Sequence, residues 1–288
     1  MQPMQNSMDK NIALLCNVQA GTGRSIGVAE EIAVHLLKQK IPYVLFKGSW
    51  PQSLEGFTDI FIVGGDGTLN YFVNHYPGIQ LPLVIFNGGT GNDFHWLLYG
   101  KQTLQEQLQL ALHTTPRPID LGKCNEKYFI NGVGIGFEGE VARALKGKKK
   151  LPGKTSFLIT ILKKIFTYRS RSYTISLENQ TITGKKLLVD ISNGKRAGGG
   201  FYIAPTARAD DGLFDVVIAN ALHPFQRMYY LPIIEKGKHL QLPFIKHLQS
   251  GKIFIESSLP IQFHLDGEYD EATRLDIEMM AGVLQFRY

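Results

Sequence analysis

The segment Asp59-Ile60-Phe61-Ile62-Val63-Gly64-Gly65-Asp66-Gly67-Thr68-Leu69-Asn70 runs an apolar strand straight into a glycine-rich turn holding one carboxylate and one hydroxyl. Glycines there let backbone N–H groups approach phosphate oxygens closely, and the helix start that follows adds the positive end of a peptide dipole. Asp66 is suited to hold or orient a magnesium ion shared with those phosphates, because hard cations take oxygen ligands. Gly, Asp and Thr are also good residues for a plain strand-to-helix turn with a cap, so this stretch alone leaves both possibilities open.

Two further turns of the same kind favour a phosphate site. Asn17-Val18-Gln19-Ala20-Gly21-Thr22-Gly23-Arg24-Ser25 follows the apolar strand Ile12 to Cys16, and Gly88-Gly89-Thr90-Gly91-Asn92-Asp93-Phe94 follows Leu81 to Phe86. In an open parallel sheet every strand-to-helix turn leaves from the carboxyl edge, where ligands bind, so three such turns predict one site. Their Gly-Thr and Gly-Asn pairs supply hydroxyl and amide partners for a ribose or a phosphate. No stretch has the Gly-Lys-Ser/Thr ending of a Walker motif, and Gly21-Thr22-Gly23 is not a complete dinucleotide fingerprint. A standard P-loop enzyme is therefore not expected.

These motifs together resemble the diacylglycerol kinase catalytic domain family, which includes bacterial lipid kinases and the sphingosine and ceramide kinases. The resemblance spans nearly the whole chain. That family has an Asn-Pro-x-x-Gly loop, then Gly-Gly-Asp-Gly-Thr, then Gly-Thr-x-Asn-Asp-Phe, in this order. Here the second is Gly64 to Thr68 and the third is Gly89 to Phe94, while the first departs by having Val18 in place of proline. Proline would fix φ and stiffen the turn, so its loss bears on loop rigidity more than on chemistry.

The resemblance also assigns roles in the second half. In bacterial members a segment like Arg208-Ala209-Asp210-Asp211-Gly212-Leu213 holds magnesium, which implies Asp211 as side-chain ligand with the carbonyls of Arg208 and Leu213 beside it. Asp-Gly is itself a strong turn signal, so a metal-free turn is the competing explanation. Asp266-Gly267-Glu268 matches the family's Asp-Gly-Glu segment, which implies Glu268 as proton acceptor for the substrate hydroxyl, with Asp266 as a second acid or as the base itself. The nucleotide would be ATP, held by Asn17, Val18, Gln19, Ala20, Gly21, by Gly64, Gly65, Asp66, Gly67, Thr68, Leu69, Asn70, and by Thr90, Gly91, Asn92. Phosphoryl transfer relies mainly on positioning and charge stabilisation, so Asp66 is expected to be at least as sensitive to substitution as Glu268.

The 288 residues, 44% hydrophobic and 19% charged, suit a two-domain globular chain. Before residue 120, strands at 11–18, 43–47, 59–64 and 81–87 alternate with helical patterns at 26–40, 67–75, 92–98 and 102–113. This predicts an α/β domain of three layers with a parallel sheet over residues 1–120. Strands then dominate, at 127–135, 172–178, 181–193, 200–204, 213–219, 252–256, 260–265 and 273–287, with helices near 138–145, 155–168 and 223–236. That predicts a β-rich domain over 121–282, an antiparallel β-sandwich or a relative of it, with the join around Pro116 to Asn125, and the resemblance implies that it is the lipid-substrate domain. The resemblance implies that a last strand, 283–288, returns to the first domain, and the cleft between two such domains is the expected place for transfer.

Met1 to Lys10 lacks an apolar signal region, no apolar run reaches about 18 residues, and Cys16 and Cys124 fall in expected strands as reduced thiols. The cytoplasm, with peripheral contact at the inner face of a membrane, is the expected compartment. A net charge of +6 and the run Arg143, Lys146, Lys148, Lys149, Lys150, Lys154 beside Phe157 to Phe166 suit anionic lipid headgroups, each charge contributing roughly 1 kcal/mol near a surface. A solvated loop and a helix covering its own core are the plainer explanations of these two features. Nucleic acid is not expected as a partner, since acidic segments interrupt the basic ones and no recognition motif occurs. Nor do the histidines have zinc-ligand spacing. Edge strands of the β-rich half offer a route to a homodimer. The expectation is an ATP-dependent lipid kinase using magnesium. The alternatives are an NAD kinase, which shares Gly-Gly-Asp-Gly-Thr, and a catalytically inactive, nucleotide-gated lipid-binding regulator.

Overall fold

A computed structural model describes residues 10–147 and 155–288. The chain divides into two compact units, one comprising the chain up to Ile119 together with Gly282–Tyr288, the other Asp120–Ala281. The first is mixed α/β and the second β-rich.

In the first unit, strands β1 (Ile12–Cys16), β2 (Tyr43–Lys47), β3 (Asp59–Gly64) and β4 (Leu83–Asn87) lie parallel in the order β2-β1-β3-β4. Helices α1 (Arg24–Lys38), α2 (Asp66–His75), α3 (Asp93–Tyr99) and α4 (Leu104–His113) belong to the same unit. Strands β1 and β3 are buried along their whole length, which is why they read as unbroken apolar runs and not as alternating ones. The start of α4 is a capping box, in which Glu106 N–H donates to Thr103 Oγ1 at 3.3 Å and Thr103 N–H donates to the Glu106 carboxylate at 2.8 Å.

The end of the chain completes this sheet. Phe286 pairs in parallel with Leu83, and Arg287 N–H donates to the Leu83 carbonyl at 3.0 Å. The Arg287 side chain enters a buried ion cluster, with its Nε 2.6 Å from Asp59, while Lys10 Nζ lies 3.2 Å from the same carboxylate. Arg287 also donates to the Thr114 carbonyl and accepts the Tyr99 hydroxyl at 2.9 Å through its own carbonyl. Burial pulls the Lys10 ammonium pKa below its ordinary value, and Asp59 opposes that shift.

In the second unit, β5 (Arg117–Cys124) pairs with β6 (Lys127–Phe129), followed by β7 (Gly132–Gly136), α5 (Phe137–Leu145), α6 (Thr155–Thr167), β8 (Arg171–Leu177) and β9 (Gln180–Ser192). Then come β10 (Phe214–Asn220), α7 (Pro224–Glu235), β11 (Ile245–Ser250), β12 (Lys252–Leu265) and β13 (Glu268–Phe286), the last of which belongs to the first unit from Gly282 onward. The antiparallel order is β11-β10-β9-β7-β12-β13. Both β9 and β12 are long enough to pair with β7 over one part of their length and with β8 over another. A register shift between Glu256 and Ile261 in β12 separates its two pairings. The strands enclose a core that includes Phe129, Val133, Ile175, Ile191, Phe214, Ile255, Phe263 and Leu275.

Several boundaries differ from expectation. The run 127–135 splits into β6 and β7 because the amides of Ile130, Asn131 and Gly132 turn toward a carboxylate described below. Residues 200–204 form no strand, only a single bridge between Ala197 and Phe201. Strands β5 and β11 went unpredicted, one carrying Pro118 and the other an irregular mix of polar residues. The segments 252–256 and 260–265 are one strand. Cys16 and Cys124 are free and buried, and burial pushes the Cys124 thiol pKa up to about 12. Lys148, Lys149, Lys150 and Lys154 lie outside the described residues. Among the described residues no helix is long and apolar enough to cross a membrane.

Replacing Asp59 by Ala leaves Lys10 and Arg287 as buried charges without their anion. The expected loss is about 3–5 kcal/mol in the stability of the first unit, read as a lowered urea midpoint for that unit's transition with an unchanged transition for the second.

Candidate active site

The three glycine-rich turns of the first unit pack backbone against backbone. A Cβ added at Gly89 would lie 2.4 Å from Gly65 Cα, one at Gly88 3.0 Å from Gly64 N, and one at Gly21 2.3 Å from Gly88 O. Interiors this close-packed have no room for a side chain at these positions. Hydrogen bonds fix the contact, with Gly88 N–H donating to Gly64 O at 2.8 Å and Asn17 Nδ2 donating to Thr68 Oγ1 at 2.9 Å. Ser25 Oγ donates to Asn17 O at 2.6 Å. Asn92, in the left-handed region at φ 54°, closes its own turn by accepting Gly89 N–H at 3.0 Å and donating to Gly89 O at 2.9 Å.

The expected nucleotide-binding residues therefore separate into two sets. Asn17, Gly21, Gly64, Gly65, Thr68 and Asn92 are joined in this cluster, while Gly67, in the first turn of α2, and Thr90 and Gly91, in the turn after β4, stand exposed. Leu69 is fully buried, so its side chain serves the core. In the first turn of α2 the Thr68 N–H donates to Gly65 O at 2.9 Å, and the N–H groups of Asp66 and Gly67 before it are the natural anion donors. Arg24, which sequence inspection did not single out, donates through Nη2 to Asn87 Oδ1 at 2.7 Å and to Gly89 O at 2.5 Å. Its only signal in the sequence was its position directly after Gly21-Thr22-Gly23.

Asp66 begins α2 and ties it to α3. Its Oδ2 accepts Asp93 N–H and its Oδ1 accepts Phe94 N–H, each at 3.0 Å. Two amides thus hold a half-buried carboxylate rigid, and each oxygen keeps a further lone pair. That geometry fits an oxygen ligand for a hard cation and serves equally as a helix cap.

In the second unit, Asp266 and Gly267 form a two-residue turn between β12 and β13, with φ 49° and 90°, the signs of a type I′ hairpin. The Asp266 carboxylate accepts the N–H groups of Ile130 at 2.8 Å, Asn131 at 2.8 Å and Gly132 at 2.9 Å. It is an anchor for the β6–β7 connection. Glu268, two residues on, is exposed.

Around the third group of expected residues, Asp211 Oδ1 accepts Leu213 N–H at 3.2 Å, and Arg208 pairs with Asp210 at 3.1 Å. Asp120, buried and unpredicted, accepts Gly212 N–H at 2.8 Å. Partial burial raises the Asp211 carboxyl pKa, and nearby Asp215 and Asp120 add to the rise. Asp215 is itself held by Thr206 at 2.6 Å and His247 at 2.6 Å. Among the described residues no three His, Cys, Asp or Glu side chains converge as a metal cage. A cation here would rest on Asp211 and main-chain oxygens in a locally negative field, which fits a hard ion.

The sequence profile of the diacylglycerol kinase catalytic domain matches residues 11–124, and that of the YegS C-terminal NAD kinase beta sandwich-like domain matches residues 131–287. The chain is 30% identical over 233 residues to the "Probable lipid kinase YegS-like" of Shewanella frigidimarina (strain NCIMB 400), covering 79% of this chain and 75% of that protein. In fold it is similar to a diacylglycerol kinase from Bacillus anthracis strain Sterne, with TM-score 0.73 and 21% identity over 97% of each chain. An NAD kinase from Archaeoglobus fulgidus in complex with ATP is similar in fold at TM-score 0.55 and 13% identity, over 96% of this chain and 93% of that one.

Gly89→Ala forces two turns apart. Such overpacking costs about 1–3 kcal/mol, and the expected result is a folded protein, by circular dichroism, that has lost nucleotide affinity by calorimetry. In the second unit, Asp266→Ala strands three amides that now bond a charged acceptor. A loss of at least about 3 kcal/mol is expected, measured by chemical denaturation of that unit.

Proposed function

The chain belongs to the diacylglycerol kinase family of lipid kinases, and from that premise we propose that it transfers the γ-phosphate of ATP to a hydroxyl of diacylglycerol or a related lipid, with magnesium. The observation that carries this reading is the contact of three turns through their glycines at the carboxyl edge of a parallel sheet, next to the first amides of α2. Such a surface offers backbone donors to phosphate oxygens, and Arg24 adds a cation at its border.

In this reading Gly64 to Asn70 cradle the phosphates, while Asn17 to Gly21 and Thr90 to Asn92 complete the nucleotide pocket. Asp66 would hold magnesium, which when bound neutralises phosphate charge. The rigid hold of two amides on Asp66 supports that role, since a fixed ligand loses little freedom on binding. Glu268 is the better proton acceptor of the two turn carboxylates. It is exposed, whereas Asp266 is committed to three amides. Arg208, Asp211 and Leu213 would hold a second, structural cation through one carboxylate and two carbonyls.

A lipid acceptor needs an apolar approach. Helix α6 turns Ile161 and Ile165 into a core shared with Phe201 and Ile203, yet it leaves Leu158, Ile159, Leu162 and Phe166 exposed. Helix α7 adds exposed Phe225, Met228 and Tyr229, with the Phe166 and Phe225 rings 6.4 Å apart. This continuous apolar face supports peripheral contact with a bilayer.

Incubation with radiolabelled ATP, magnesium and a mixed lipid extract is expected to label a lipid. Glu268→Gln should lower the rate by about 10²- to 10⁴-fold, and Asp66→Ala by at least as much. Label in NAD and in no lipid would overturn the proposal in favour of an NAD kinase. Tight ATP and lipid binding with no transfer would favour a regulator. Ile159→Ser with Phe166→Ser should slow phosphorylation of acceptor in vesicles while sparing a short-chain, water-dispersed acceptor.

A further inference from the structure

The second unit buries a group of ionisable side chains that the transfer described above does not use. One row of its sheet pairs Asp190 of β9 with Gly134 of β7, and Gly134 with His264 of β12. Having no side chain, Gly134 leaves a gap, which the head of Glu138 fills from the first turn of α5. A Cβ at Gly134 would lie 2.1 Å from Glu138 Oε2 and 2.3 Å from His264 Nε2. His264 Nε2 is 3.7 Å from Glu138 Oε2, a buried oxygen with no hydrogen-bond partner among the described residues, and Asp190 accepts the Ser192 hydroxyl.

The other imidazole nitrogen is also committed, because His264 Nδ1 accepts Gly267 N–H at 3.2 Å. Gly267 is the second residue of the turn that leads into Glu268. A neutral imidazole has one donor and one acceptor, so an acceptor at Nδ1 fixes the proton on Nε2, facing the carboxyl pair.

We propose that Glu138, Asp190 and His264 form a buried positioning unit for Glu268, in which His264, protonated on Nε2 by virtue of the carboxyl pair, holds the Gly267 amide and thereby the turn. The inference rests on Glu268 being the proton acceptor. Two adjacent buried carboxyls cannot both ionise cheaply. Burial pushes Glu138 up to about 7, and burial together with Glu138 raises Asp190. Burial also keeps His264 below its ordinary value, against the pull of Asp190, Asp266 and Glu268. The groups facing the imidazole are thus Glu138 from α5, Asp190 from β9, Asp266 and Glu268 from the turn, and Tyr269 opposite on β13. From β7 comes only Gly134.

The sign of the pH dependence follows. A carboxyl whose folded pKa is raised is bound to its proton below that value, so the unit is intact below pH about 7 and weakens as pH rises through it. The charge that then develops on Glu138 draws the Nε2–H of the imidazole toward it, and with it moves Nδ1 off the Gly267 amide.

The test is lipid phosphorylation against pH, with 15N spectra of the imidazole in the wild-type protein. Wild type should lose kcat above pH about 7, and Glu138→Gln, which cannot ionise, should lack that fall. His264→Ala should lower kcat by about 10- to 100-fold through misplacement of Glu268, with KM for ATP unchanged. His264→Asn, whose Oδ1 can accept the Gly267 amide, should recover most of that loss. The spectra should show protonated Nε2 and bare Nδ1 at pH 6. Identical pH profiles for wild type and Glu138→Gln, or a protonated Nδ1 at that pH, would overturn the proposal. If His264→Ala does not fold, the Glu138→Gln profile and the spectra still decide. A wild-type protein that labels no lipid would overturn the kinase reading instead, while the spectra would still test the cluster.

Discussion

Absence of side chains at Gly21, Gly64, Gly65, Gly88 and Gly89 is the constraint on which the first unit depends. Three strand-to-helix turns can share one surface only if their main chains touch, and a methyl group at Gly89 would already reach within 2.4 Å of a neighbouring backbone atom. The same closeness that forbids side chains exposes backbone N–H groups, since nothing larger than hydrogen shields them. Packing and anion recognition thus follow from one choice of residue. Thr68, Asn17, Ser25 and Asn92 then spend their polar groups on fixing the turns.

This explains why the first unit was largely legible in the sequence. Buried parallel strands read as solid apolar runs, and a glycine cluster after each one marks the ligand edge. What the sequence hid was the ion cluster of Lys10, Asp59 and Arg287, whose members are 49 and 228 residues apart along the chain. No local pattern announces such a pairing. The second unit was less legible for a related reason. Its strands are identified by partners far along the chain, so β5 and β11, with proline or scattered polar residues, lacked the alternation that marks a half-buried strand. A register shift within a long strand, as in β12, appears in the sequence as a break, whereas β9, which also changes partners midway, reads as one run.

The acidic residues carry a parallel lesson. Asp66 and Asp266 were both read as chemical groups, and both are also structural, each accepting main-chain N–H groups from a connection distant in sequence. A carboxylate so held cannot swing away, so capping and ligation are compatible for Asp66, where lone pairs remain. For Asp266 three amides leave much less to spare. Asp120 was overlooked because a lone aspartate in a strand ordinarily signals nothing. Its partner, the Gly212 amide, is 92 residues away.

Burial sorts the remaining acids by function more sharply than residue type does. Glu268 follows a tight turn and stands exposed. Glu138 and Asp190, beside His264, are largely withdrawn from solvent, and burial keeps them near protonation. Between them stands His264, which touches the turn through one nitrogen and the buried acids through the other. A glycine, Gly134, makes that arrangement possible by leaving room for the Glu138 head, as glycines make room for one another among the phosphate turns. In both units, then, the chemistry is set by where the chain omits a side chain as much as by the side chains it supplies.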